Sequence, residues 1–196
     1  MKQTEWKIIY TGEGKITLRA LKLLYKEAGQ HLIREQGVYR IYVLPCEKEG
    51  APFAKNTILF GLYEDSNEIP KYIPAEEVPV EGFAVKVTEN PEDPEGRIVI
   101  LTAHQEQELF YSAVHFLDDY IPSHAPLHGS NPMPDLIYDS PMAPYFYNEV
   151  PDHQRRSIFT WGHPISDYRS YIDNMARMKF NELILWNDFV PLNIRE

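Results

Sequence analysis

A single cysteine, Cys46, is all the sequence contains, so no disulfide can close within the chain and no cysteine-based metal site can be assembled. Basic residues are also scarce: 19 Lys and Arg stand against 29 Asp and Glu, a formal charge of −10. That surface repels phosphate backbones, and no stripe of Lys or Arg interrupts it, so nucleic acid is not an expected partner. Long apolar runs are missing too. None approaches the ~20 residues of a membrane-crossing helix, and the opening MKQTEWKIIY lacks the apolar centre of an export signal. A soluble, cytoplasmic chain without a membrane partner is expected. There are no internal repeats.

What is present is enough to build a core. Apolar residues make up 43% of the chain and aromatics 13%, which excludes a disordered chain. A length of 196 suits one domain of ordinary size plus a piece of another. Trp6 to Tyr10 reads as a strand, ended by the turn Gly12-Glu13-Gly14. Those two glycines resemble the start of a phosphate loop, but the rest of the fingerprint is missing and a plain turn is expected. Thr17 is placed to cap a helix in which Leu21, Leu24, Tyr25, Ala28 and Leu32 share one face, with Gly37 as its C-terminal cap. Val38 to Leu44 and Thr57 to Leu62 read as the next strands. Gly82 to Thr88 and Arg97 to Thr102 form a hairpin across a turn-rich 90–96. A second helix is expected over 105–120, with Leu109, Ala113, Phe116, Leu117 and Tyr120 as its apolar stripe.

Two helices with one apolar side each need a sheet to cover. The expected fold is therefore α+β: a mixed, mostly antiparallel sheet with both helices on one face, over residues 1–121. Residues 122–154 hold Pro122, Pro126, Pro132, Pro134, Pro141, Pro144 and Pro151, which argue against a helix or a central strand. Tyr138, Tyr145, Phe146 and Tyr147 in the same stretch argue for an ordered connector.

From residue 155 onward the pattern changes to strand, helix, strand. Ser157-Ile158-Phe159-Thr160-Trp161 is a short β-branched and aromatic run closed by Gly162 and Pro164. Ser166 or Asp167 can cap a helix carrying Tyr168, Tyr171, Ile172, Met175 and Met178 on one face. Leu183 to Trp186 is apolar without alternation, as a strand buried on both faces should be. This is one β-α-β unit, which joins parallel strands.

The sequence Arg156, apolar strand, helix ending Met175-Ala176-Arg177-Met178-Lys179-Phe180-Asn181, apolar strand, Trp186-Asn187-Asp188 resembles the start of the (β/α)8 catalytic barrel of glycoside hydrolases. It is most similar to the family 20 β-N-acetylhexosaminidases and the family 67 α-glucuronidases. The resemblance is loose over the whole chain and tighter over 155–188. It implies a small N-terminal α/β domain followed by an incomplete barrel over 155–196, and a parent enzyme that hydrolyses O-glycosidic bonds without a cofactor. Carbohydrate is the implied partner. Apolar faces left open by an incomplete barrel would favour self-association.

Barrel active sites form at the carboxyl ends of the strands. Those ends are Trp161-Gly162-His163 and Trp186-Asn187-Asp188. A flat indole covers the C–H face of a pyranose while His, Asn or Asp meets its hydroxyls. Trp161, His163, Trp186, Asn187 and Asp188 are thus the candidate substrate-binding residues, against the alternative that the indoles fill space and Asn187-Asp188 is an ordinary turn. The resemblance adds Arg156, where family 20 enzymes carry an arginine that grips substrate hydroxyls; adjacent Arg155 fits equally, and a surface salt bridge explains either.

Glycoside hydrolysis needs two carboxyl groups flanking the scissile bond, and the resemblance places them on later strands than these two. No catalytic residue is assigned. Asp118-Asp119 and Glu76-Glu77 read as solvated surface, and His104, His115, His124 and His128 lack metal-ligand spacing, so no metal site is expected. Ser112 and Ser157 have no nucleophile-elbow context. The rival class is a non-catalytic carbohydrate- or protein-binding module.

Overall fold

The computed structural model describes residues 6–32, 44–124, 142–161 and 165–186. The chain divides into two compact units, Met1–Val150 and Pro151–Glu196. The expected strand over 38–43 and the Gly37 cap lie outside the described residues, as does most of the connector.

In the first unit β1 (Trp6–Tyr10), β2 (Cys46–Lys48), β3 (Asn56–Leu62), β4 (Phe83–Asn90), β5 (Asp93–Ala103) and β6 (Tyr145–Glu149) form one sheet. Its order is β2-β1-β3-β5-β4-β6. The β1–β2, β1–β3 and β3–β5 pairs are parallel, while β4 runs against both β5 and β6. The sheet is mixed, as expected, but a mostly antiparallel one is not what forms: only β4 opposes the rest. The cause is the β4–β5 hairpin, which inserts its second strand beside β3, in β3's own direction. The connection between β1 and β2 is a crossover through α1 (Lys15–Leu32), which also yields a parallel pair.

The apolar runs of β3 and β5 are continuous because both faces of the sheet are covered. One face meets α1 and α2 (Glu106–His115), which pack on each other, α1 over β1 and α2 over β3, β4 and β5. Ala20, Leu21, Leu24 and Ala28 of α1 and Leu109, Ala113 and Val114 of α2 are buried there. Ile9, Leu59, Ile98, Ile100 and Ala84 point the other way and pack with Ile69, Ile73 and Val78. Those three come from a segment with two short 3-10 turns, Ile69–Lys71 and Ala75–Glu77. Lys86 Nζ donates to Tyr72 O at 2.7 Å, tying that segment down. Burial alone would raise the Glu49 carboxyl, but the Ser66 hydroxyl and the Asn67 backbone N–H donate to it and hold it below the usual carboxylate range.

After α2 the helix widens into a π turn, Phe116–Tyr120, and runs on into α3 (Ile121–His124), which contains Pro122. β6 also lies in the stretch expected to be irregular. It contains no proline itself, and as an edge strand it needs only one partner.

Thr17 is not the cap of α1. The helix starts at Lys15 and Thr17 is buried inside it. The N–H groups of Ile16 and Thr17, which have no acceptor within the helix, donate instead to Glu106 Oε2, at 2.9 and 3.2 Å. A carboxylate at a helix N-terminus satisfies orphan donors and complements the helix dipole. At Gly14 an added Cβ would fall 1.7 Å from Glu106 Oε1, so a side chain there would displace that carboxylate. Replacing Glu106 with Ala is expected to lower stability by about 1 kcal/mol, measured by urea unfolding. An unchanged midpoint would mean that water serves these donors equally well.

Candidate functional site

The second unit is a parallel pair, β7 (Ser157–Trp161) and β8 (Glu182–Trp186), joined by α4 (Tyr168–Arg177). Asp167 caps α4: its Oδ1 accepts from the N–H groups of Arg169 and Ser170 at 3.0 and 3.2 Å. Hydrogen bonds from the Ser170 hydroxyl and backbone hold the Asp167 carboxyl below its usual range. Met175 is buried under the helix. The register runs from Ser157 opposite Glu182 to Trp161 opposite Trp186. The two tryptophan positions are thereby neighbours at the carboxyl ends of both strands.

At the amino ends sits a closed set of hydrogen bonds. Arg156 N donates to Asn181 Oδ1 at 2.8 Å, Asn181 Nδ2 donates to Gln154 O at 2.6 Å, and Asn181 N donates to Arg156 O at 3.0 Å. The Arg156 guanidinium donates through Nε to Lys179 O and through Nη1 to His153 O, both at 2.6 Å. Lys179 has a left-handed φ of 61°. That turns the chain out of α4, and Phe180 N then donates back to Met175 O at 2.9 Å. The Met-Lys-Phe-Asn turn and Arg156 together form one structural clip at the start of β7.

Arg156 therefore lies at the opposite end of β7 from Trp161, roughly 16 Å away at ~3.3 Å per residue. The structure brings Trp161 and Trp186 together through their backbones and leaves Arg156 apart from them. His163, Asn187 and Asp188 lie outside the described residues.

The other sequence candidates find ordinary partners. His104 bonds to the Glu64 carboxylate and, through Nε2, contacts Val78 O at 3.1 Å. Asp118 and Asp119 are exposed. The place an anion would take at the Gly12–Gly14 turn is filled by Glu106. Burial pushes the Cys46 thiol up to about 11, which keeps it protonated and unreactive. Among the described residues no group of three His, Cys, Asp or Glu side chains could hold a metal ion, and no helix is long and apolar enough to cross a membrane. One cluster escaped the sequence reading: His115 is buried against Tyr145 and Tyr147 of β6. Thirty residues separate His115 from Tyr145, and no local spacing marks the cluster.

No protein-family model and no curated protein matches the sequence. Solved structures do match in fold. CpGH84D superposes with a TM-score of 0.57 at 11% identity, over 93% of this chain and 27% of its own. BtGH115A, a family GH115 4-O-methyl-α-glucuronidase with specificity for decorated arabinogalactans, gives 0.54 at 12% identity, over 94% and 25%. A GH138 enzyme targeting pectin rhamnogalacturonan II gives 0.50 at 15% identity, over 94% and 19%. The chain thus shares a fold with parts of glycoside hydrolases and spans roughly a quarter or less of the length of each.

Two substitutions test the clip. Asn181→Ala removes the bonds to Arg156 and Gln154 and is expected to destabilise the second unit by about 1–2 kcal/mol, read as faster proteolytic cleavage after residue 150. Lys179→Gly relieves the left-handed backbone and is expected to slow that cleavage. Equal cleavage rates in wild type and both variants would show that the clip contributes nothing.

Proposed function

We propose that this chain is part of a carbohydrate-active glycoside hydrolase. In this reading the first unit is the small α/β domain, and β7-α4-β8 is the first β-α-β unit of a (β/α)8 barrel. The family 20 and family 67 likeness of its Met-Lys-Phe-Asn turn belongs to the same proposal. The sugar site lies at the carboxyl ends of β7 and β8, with Trp161, His163, Trp186, Asn187 and Asp188 as the contacts offered to a pyranose. Arg156 contributes by closing the amino end, since its guanidinium already serves two carbonyl oxygens. The acid and the base or nucleophile come from strands beyond these residues.

The observation that carries this reading is the in-register parallel β7–β8 pair, several of whose apolar side chains are exposed. Phe159, Ile184 and Leu185 of the strands and Ile172 and Met178 of the helix segment are all more than 40% exposed. A two-stranded sheet is marginal alone, and further strands on its edges would bury these residues. The fold shared with three glycoside hydrolases several times as long supports the same completion.

Two results are expected. The product isolated from its own cells should have an intact mass well above the 22.9 kDa of these residues. These 196 residues alone should hydrolyse no chromogenic glycoside, while the longer product does. A native product of 22.9 kDa would replace this proposal with a non-catalytic binding module.

A further inference from the structure

α1 sets its apolar side on the sheet, with Thr17, Ala20, Leu21, Leu24 and Ala28 buried. The opposite side carries Lys15, Arg19, Lys22 and Lys26, all exposed. At ~100° and ~1.5 Å per residue, these four fall within about 60° of arc and about 16 Å of helix length. A linear reading shows no basic run, because the cations stand three and four residues apart. The helix gathers them into a stripe, on a chain whose formal charge is −10.

The stripe does not help the helix that bears it. Lys15 with Arg19, Arg19 with Lys22, and Lys22 with Lys26 are like charges three or four apart, and such pairs destabilise a helix. The first turn holds no acidic residue, and Lys15 stands at the positive end of the helix dipole. Glu27 is the one acid in the sequence of α1, and its spacing puts it off the stripe. Lysines elsewhere sit against carboxylates: Lys7 with Glu47, Lys48 with Glu13, Lys55 with Glu95 and Lys71 with Glu68. A charge pattern that opposes local stability is the kind found at functional surfaces. On one flank of the stripe Leu18 and Tyr25 are 44% and 37% exposed. Tyr25 follows Lys22 by three residues and precedes Lys26, so a phenol ring and two ammonium groups share one turn of the surface.

We propose that the solvent face of α1 is a docking site for an acidic polysaccharide, a linear chain of hexuronate units. This rests on the carbohydrate-active reading above and goes beyond it in naming a second site and the class of glycan that occupies it. A hexuronate offers a carboxylate and a C–H ring face together, and Lys22, Lys26 and Tyr25 present their complements. Lysine is a mobile point charge, suited to a repeating carboxylate whose orientation changes from unit to unit. Other anionic partners fit less well. The apolar side of α1 lies on the sheet, so it is not free to enter a bilayer. Duplex DNA carries one charge per ~1.7 Å of axis, and the excess of acids on the chain opposes so dense an anion.

The test is binding of the whole chain to immobilised polygalacturonate at low ionic strength, beside methyl-esterified polygalacturonate, polyglutamate, duplex DNA and phosphatidylserine vesicles. The acidic glycan should bind and its uncharged ester should not. Lys22→Gln and Lys26→Gln together, both at exposed positions, should weaken binding roughly tenfold, the worth of two surface ion pairs. Tyr25→Ala should weaken it about fivefold on polygalacturonate and leave polyglutamate unaffected. No binding to polygalacturonate, equal binding to its ester, or unchanged binding in either variant would overturn the proposal. So would tighter binding to polyglutamate, DNA or the vesicles, which would assign the stripe to an acidic protein, a nucleic acid or a membrane. Binding is read on these 196 residues, where no hydrolysis is expected, so its failure is separate from a failure of the glycosidase reading.

Discussion

Burial of both faces of the β3–β5 pair is the constraint on which the first unit depends. Ile58, Leu59, Phe60, Ile98, Val99, Ile100 and Leu101 are all at most 2% exposed, so alternate residues must find cover on opposite sides. The helices supply one cover and the 3-10 segment around Ile69 and Ile73 the other. Neither is optional, because exposing either face would return several apolar side chains to water at about 2 kcal/mol each. Glu106 and Glu49 work at the margins of these covers. Glu106 joins the starts of α1 and α2, and Glu49 pins the segment beneath.

Periodicity carried the local structure well. The strand at Trp6–Tyr10, the apolar faces of both long helices and the β4–β5 hairpin stand where the spacing of apolar residues put them, and Asp167, one of two caps offered, caps α4. The direction of the sheet was misread as mostly antiparallel, although the unbroken apolar runs Thr57-Ile58-Leu59-Phe60 and Ile98-Val99-Ile100-Leu101 carried the signal. Strands covered on one face alternate, and these do not. What local pattern could not carry was cover and capping from far along the chain. Glu106 caps a helix ninety residues before it, and the polar-looking stretch after Glu64 supplies Ile69, Ile73 and Val78 to the core. The strand at Tyr145–Glu149 was hidden by the prolines on either side of it.

The candidate site divides in the same way. A β-α-β reading was enough to place Trp161 beside Trp186, because parallel pairing in register follows from strand length and the crossover. Arg156 was legible as a residue of consequence, but its partners were not. They are main-chain oxygens, and a carbonyl leaves no mark on sequence. The Met-Lys-Phe-Asn turn that resembles sugar-acting barrels has a physical reason here: its Asn181 side chain and its Lys179 carbonyl close the β-α-β unit.

The clip at Arg156, Lys179 and Asn181 also bears on how such a unit can change over generations. Its bonds gather at the amino end of β7, so the fold of the unit is secured before the chain reaches Trp161. The described bonds of the clip lie away from the ends of β7 and β8 that carry Trp161 and Trp186. Sequence drift there can reshape what the strand tips offer without reopening the turn that holds the strands in register. A lineage can then vary those strand ends while its framework stays still.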